Sequence, residues 1–125
     1  MDENDISYRI RGAIFTVYNA LGPGLLESVY QTVLSYVLTE NGLNVKQQVQ
    51  LPIVFEGIIL DTGYRIDLLI NDLVIIEIKS VETVAPVHHK QLLTYLKLSG
   101  LKLGLLVNFN SSDISQSIWR KVNGL

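Results

Sequence analysis

Three ionisable residues, Asp67, Glu77 and Lys79, lie inside two short apolar runs of the kind that form buried β-strands. The runs flank the polar pair Asn71-Asp72, so residues 63–79 are predicted to form a buried hairpin. Burying a charge without a partner is costly, and three such groups in one hairpin need a shared reason. Metal binding combined with catalysis is one such reason. The alternative is a buried ion pair between Lys79 and a carboxylate that only fixes the strand register.

The connection between the two runs decides whether the carboxylates meet. A two-residue loop would pair Asp67 with Ile76, whereas a three-residue or bulged connection through Leu73 would pair Asp67 with Glu77, with Cβ atoms roughly 5 Å apart. We predict the second register. Two carboxylates at that distance repel each other unless a cation lies between them, and oxygen ligands favour Mg²⁺ or Mn²⁺ over zinc.

Composition narrows the possible functions. The 125 residues are 48% hydrophobic and are predicted to form a single domain spanning 1–125. The absence of cysteine excludes disulfides, thiolate zinc sites and cysteine catalysis. A net charge of −2 gives no overall electrostatic case for nucleic-acid binding, so a polyanion would have to meet a local cationic patch or a metal.

The amino terminus indicates where the protein works. Residues 1–5 are acidic where a secretory signal would be basic, and no apolar run approaches the ~20 residues that a membrane span needs. We therefore predict a cytoplasmic protein without membrane association.

Apolar residues at helical spacing predict two helices in the first third of the chain. The first covers roughly residues 4–21 and ends at Gly22-Pro23-Gly24, and the second begins near Leu25 or Leu26 and ends at Asn41-Gly42. Glu27 falls in the first turn of the second helix. Its carboxylate could merely complement the helix dipole or could project into a site, and composition does not decide between them.

Alternating residues from Val45 to Phe55 predict a strand that Pro52 places at a sheet edge. Glu56-Gly57 is predicted to turn the chain into a return strand, which a bend at Gly63 interrupts before Tyr64.

After Lys79 the pattern predicts a helix over 86–99, with Leu92, Leu93, Leu96 and His89 toward the core, and a buried strand over 103–109. The strand-helix-strand arrangement should be a right-handed parallel crossover. A short final helix is predicted after Asn110. These elements describe an α/β domain whose mixed sheet has helices packed against it.

These residues together resemble the PD-(D/E)XK nuclease superfamily and, within it, its small bacterial GxxExxY branch. Gly24-Leu25-Leu26-Glu27-Ser28-Val29-Tyr30 matches the branch motif, Tyr64-Arg65-Ile66-Asp67 the first catalytic strand, and Glu77-Ile78-Lys79 the E-x-K element. Gln91 to Tyr95 resembles the QxxxY helix motif of RecB-like nucleases. Ile66 stands where the superfamily's name has proline. The resemblance implies a restriction-endonuclease-like core, α-β-β-β-α-β, with an extra N-terminal helix.

The resemblance also implies metal-dependent hydrolysis of DNA phosphodiester bonds. Asp67, Glu77 and the Ile78 carbonyl would hold Mg²⁺ or Mn²⁺, and Glu27 would bind the ion through water or complete a second cation site. Lys79 would position or deprotonate the attacking water. The catalytic set would comprise Glu27, Asp67, Glu77, Lys79, Gln91 and Tyr95.

Several alternatives stay open. Gln91 and Tyr95 could orient the scissile phosphate or Lys79, or could belong to a solvated helix stripe. The two histidines are predicted to have ordinary surface or packing roles. A cationic patch could form from Arg65, Lys90, Lys97 and Lys102, or these residues could be scattered over a solvated face.

The function itself also has alternatives. The chain could be a catalytically silent nuclease-fold module that binds a partner protein or nucleic acid. A third possibility is a purely structural dimer, and Tyr18, Tyr30, Tyr36 or Trp119 would be the candidates for its interface if exposed. A homodimer is also compatible with nuclease work.

Overall fold

The computed structural model describes all 125 residues, which form three α-helices and seven β-strands. In chain order the elements are α1 (Glu3–Leu21), α2 (Glu27–Glu40), β1 (Val45–Gln50), β2 (Ile53–Phe55), β3 (Ile58–Leu60), β4 (Arg65–Ile70), β5 (Val74–Lys79), α3 (Pro86–Ser99), β6 (Leu103–Asn108), a 3₁₀ turn (Ile114–Gln116) and β7 (Ile118–Val122). None of the helices is both long and apolar enough to cross a membrane.

Five strands form the central sheet, in the order β1-β4-β5-β6-β7. The β5–β6 pair is parallel and is connected through α3, and the other neighbours are antiparallel. A mixed sheet with helices packed on it is the predicted α/β architecture, and it agrees with a restriction-endonuclease-like fold.

One face of the sheet is covered by α1 and α2. The Asp2 side chain caps α1 by accepting from the Asp5 N–H at 2.9 Å, and the Asp5 carboxylate accepts from the Asp2 N–H at 3.3 Å. The helices bury a stripe against the sheet at helical spacing, with Ile6, Ile10, Ala13, Ile14 and Val17 from α1 and Tyr30, Leu34 and Leu38 from α2.

The other face is covered by α3. Leu92 and Leu96 are fully buried there against Ile75 and Leu106, as predicted. The prediction for Leu93 was wrong, since it is 37% exposed. Tyr95 takes the buried place, because positions 92, 95 and 96 share one face of a helix.

The edge strand predicted from Val45 to Phe55 is broken in two at Pro52. The first part, β1, lies at the sheet edge as predicted and pairs with β4. The second part, β2, pairs only with β3 in a separate two-stranded ribbon, so the start of the predicted return strand after Glu56-Gly57 lies outside the central sheet. Proline has no N–H for a ladder bond, and the chain leaves the sheet there. It returns at Gly63, whose φ of +78° gives the predicted interruption.

The short helix predicted after Asn110 was also wrong. Only a 3₁₀ turn forms there, and residues 118–122 then form β7, antiparallel to β6. The apolar spacing fitted a helix, but the open edge of β6 offers a full ladder of backbone bonds to a short segment of β-branched and aromatic residues.

Candidate active site

The β4–β5 hairpin has the predicted three-residue connection. Its ladder runs from Ile70 opposite Val74 to Leu68 opposite Ile76, and residues 71–73 form the loop. The first two loop residues, Asn71 and Asp72, have left-handed φ angles of 52° and 55°, a conformation that Asn and Asp tolerate better than most residues. This register directs Asp67 toward Glu77.

The two carboxylates bond to each other's strands. The Asp67 N–H donates to Oε2 of Glu77 at 2.8 Å, and the Ile78 N–H donates to Oδ2 of Asp67 at 2.8 Å. No backbone pair follows Leu68–Ile76, because the side-chain bonds replace the ladder there. Both carboxylates therefore lie between β4 and β5, just beyond the last backbone pair of the ladder.

Burial makes both acids hard to ionise. Glu77 is only 6% exposed, and burial together with the Asp67 charge raises its pKa to about 8. The hydrogen bond from the Asp67 N–H and the Lys79 charge lower this pKa only in part. Burial likewise raises the pKa of Asp67, although the Ile78 N–H, the Gln48 amide and the Lys79 charge oppose the shift. A positive charge bound beside both acids would therefore stabilise their ionised forms.

Lys79 ends β5 and is half-buried, paired with Asn108 of β6. Its ammonium forms no ion pair with either carboxylate, since the ion pairs of the structure are Lys46–Asp72 and Asp61–Arg65 on the surface. The register-fixing ion pair is therefore not formed. Lys79 acts on Asp67 and Glu77 through its field, which lowers the pKa of each.

Glu27 is the first residue of α2 and is exposed. It lines a cleft of about 490 Å³ with Gly24, Leu25, Leu26, Ser28, Ser80 and Asn110. Its charge raises the pKa of both buried carboxylates, which places it on their side of the molecule. Nevertheless, no three Asp, Glu or His side chains are grouped closely enough to hold one ion directly.

Tyr30 fixes the loop that leads to Glu27. Its hydroxyl donates to the Gly22 carbonyl at 2.5 Å and accepts from the Leu25 N–H at 3.1 Å, and its ring stacks on Phe109 with centroids 4.3 Å apart. Because Tyr30 is fully buried, its predicted place in a dimer interface was wrong.

On the opposite side, α3 brings Gln91 to Lys79. Both residues line a second cleft of about 490 Å³, together with Tyr64, Val87, His88, Lys90 and Thr94. Of the basic residues predicted as a cationic patch, Lys90 lies in this cleft, whereas Arg65 is engaged with Asp61.

Tyr95 does not belong to a solvated stripe, because it is 3% exposed and its ring lies 5.4 Å from that of Tyr64. Burial and the charges of Glu77 and Asp67 raise the pKa of Tyr95 to about 12. Its hydroxyl therefore stays protonated at neutral pH and can donate a hydrogen bond.

The comparison with protein families agrees with this geometry. A family model described as the PD-(D/E)XK nuclease superfamily matches residues 4–121. The chain belongs to this superfamily. Membership indicates a nuclease-type function with a nucleic-acid substrate, and superfamily members typically use divalent metals. No significant match to a curated protein or to a solved structure was found.

One residue beside the candidate carboxylates was missed from the sequence. The Gln48 amide Nε2 donates to Oδ1 of Asp67 at 3.2 Å. Nothing in the sequence marks Gln48, since it lies outside every motif in a polar edge strand.

The two histidines make local contacts near the start of α3. His88 accepts the Ala85 N–H at the start of α3, and His89 packs edge-on against Trp119 with ring centroids 5.2 Å apart. Burial lowers the pKa of His89, which favours its neutral form.

Proposed function

We propose that the protein is a metal-dependent nuclease that hydrolyses DNA phosphodiester bonds and that it belongs to the GxxExxY branch of the superfamily. The observation that carries this proposal is the cross-bonded pair of Asp67 and Glu77, with Lys79 two residues further along the same strand. The branch assignment is supported by Tyr30, because the tyrosine that closes the motif also holds the loop where the motif begins.

The donor chemistry of the pair fits Mg²⁺ or Mn²⁺. Its groups are hard carboxylate oxygens, and a divalent cation would relieve both the burial and the mutual repulsion that raise their pKa values. Asp67, Glu77 and the Ile78 carbonyl would hold the ion, and Glu27 would reach it through water. When bound, the ion would polarise the phosphate and lower the pKa of a water molecule.

Lys79 supplies the fixed positive charge of the site. It would position the attacking water and offset the negative charge that develops on the phosphate. Gln91 lines the same cleft and would donate to a phosphate oxygen. Tyr95 stays protonated, so its role would be to orient a neighbour by donation and not to accept a proton.

The proposal is tested by calorimetric titration of Mg²⁺ and Mn²⁺ into the wild type, Asp67→Asn and Glu77→Gln, followed by cleavage assays on duplex, single-stranded and branched DNA and on RNA. We expect the wild type to bind metal and to cut DNA. Both variants should stay folded and lose metal binding and cleavage, because each removes a carboxylate charge without changing side-chain size.

Lys79→Met separates chemistry from metal binding. We expect it to keep metal binding while cleavage falls by about 10²- to 10⁴-fold, the range typical for loss of an acid-base or charge-stabilising group. Lys121→Met, which removes a lysine from β7 at the far edge of the sheet, is the matched control. If the wild type binds no metal at millimolar concentration and cuts nothing, the buried charges are structural and the silent, partner-binding module is the better description.

A further inference from the structure

The strands β1 and β4 change faces together at one position. Near the hairpin end, Val45 and its partner Ile70 pack on the α1–α2 side of the sheet. At the other end, Val49 and its partner Ile66 pack on the α3 side. Residues an even number of positions apart in a regular strand share a face, so the alternation is broken in both strands between these pairs.

The break falls at Gln48 and Asp67. The residue pairs on either side keep the same register, so no residue is inserted, and only the pair formed by Gln48 and Asp67 is missing from the ladder. Gln48 has a left-handed φ of 51°, which is uncommon for a residue with a side chain. Such a conformation persists only where its surroundings hold it in place, and it tends to occur at functional sites.

Two side-chain bonds provide that support. Nε2 of Gln48 donates to Oδ1 of Asp67 at 3.2 Å and to Oε1 of Gln31 at 2.8 Å. Gln31 lies four residues after Glu27 on α2, and residues at this spacing share a helix face. The amide of Gln48 thus connects the helix that carries Glu27 to the carboxylate of Asp67.

We propose that Gln48 is a positioning residue for Asp67. The Gln48 amide holds the Asp67 side chain where β1 and β4 change faces, so that the carboxylate points between β4 and β5. This inference rests on the proposed function. A neutral amide suits the task, since it orients the carboxylate by donation and leaves its negative charge available for a cation. A lysine or arginine in the same place would neutralise that charge.

The test uses Gln48→Gly, because glycine adopts the left-handed φ without strain and lacks the amide. Metal affinity is measured by calorimetry with Mg²⁺ and Mn²⁺, and thermal unfolding and the steady-state kinetics of DNA cleavage are measured on the same samples. We expect unfolding at the same or a higher temperature, together with about 10- to 100-fold weaker metal binding, the loss typical when a partner that orients a metal ligand is removed. The kcat should fall while KM for DNA stays unchanged.

Gln50→Ala is the matched control, since it removes an exposed amide from the same strand. It should bind metal and cut as the wild type does. A Gln48→Gly protein that binds metal and cuts like an active wild type overturns the positioning role while leaving the proposed function intact. A wild type that neither binds metal nor cuts removes the proposed function, and the positioning role with it.

Discussion

The N–H of Asp67 donates to the Glu77 carboxylate across 2.8 Å, at the point where the β4–β5 ladder would otherwise add its next backbone pair. The Glu77 side chain thus accepts a hydrogen bond at a position where the ladder would continue with a backbone acceptor. The protonation state of Glu77 therefore affects how well β4 and β5 pair.

This dependence predicts that the protein becomes less stable as the pH rises. The pKa of Glu77 rises from 4.5 in the unfolded chain to about 8 in the folded protein, so between these values the folded state binds more protons. The free energy of unfolding should therefore fall as the pH rises through this window, by at most about 1.4 kcal/mol per pH unit from this group. Denaturant titrations of the metal-free protein from pH 5 to 8 measure the slope.

Glu77→Gln provides the control for that slope. A neutral amide of the same shape cannot titrate, so the stability of the variant should change less with pH than that of the wild type. Parallel curves for the two proteins would show that Glu77 ionises freely in the folded state and that the strand junction does not depend on its proton.

A second prediction concerns Tyr30→Phe. The variant keeps the stacking on Phe109 but leaves the Gly22 carbonyl and the Leu25 N–H without their partner. We expect a loss of about 1–2 kcal/mol in the free energy of unfolding. Cleavage should also fall, because the loop before Glu27 loses its tie to the core.

The matched change is Tyr36→Phe, on the same helix. Tyr36 is 66% exposed and its hydroxyl has no hydrogen bond, so denaturation and activity should match those of the wild type. Equal stability of Tyr30→Phe and Tyr36→Phe would argue that water replaces the buried hydroxyl without cost.

A third prediction compares two glycines. A Cβ at Gly104 of β6 would meet Cδ1 of Leu92 at 2.7 Å, so Gly104→Ala should lower the free energy of unfolding by about 1–3 kcal/mol, because the fully buried Leu92 side chain must shift. Gly12 lies within α1, where a Cβ meets nothing, and Gly12→Ala should stabilise the protein by about 0.5–1 kcal/mol. Chemical denaturation of both variants measures the contrast, and equal effects would contradict it.

The sequence was most informative where two independent constraints agreed. Apolar runs around an Asn-Asp turn predicted the β4–β5 hairpin, and the requirement that Asp67 meet Glu77 selected its three-residue connection. Helical periodicity together with Gly or Pro boundaries predicted all three helices.

Where only one constraint was available, the prediction was wrong or silent. The apolar spacing around Ile118 fits a helix as well as a strand, and only the free edge of β6 decides in favour of the strand. The change of faces at Gln48 could not be predicted locally, because a left-handed φ is normally found at glycine or asparagine and not at glutamine. Burial of Tyr95 depended on the rotation of α3 against the sheet, which spacing alone does not define.

The short connection of the β4–β5 hairpin has a consequence for the order of folding. Asp67, Glu77 and Lys79 are brought together by a local loop closure, whereas the parallel β5–β6 pair must wait for the long closure through α3. Local closures are faster than long ones, so the hairpin can form while its acids are still hydrated and ionised. Glu77 has a pKa of about 8 in the folded protein, so we expect folding near pH 7 to take up a proton at this residue, and a cation that binds the ionised pair to oppose that uptake.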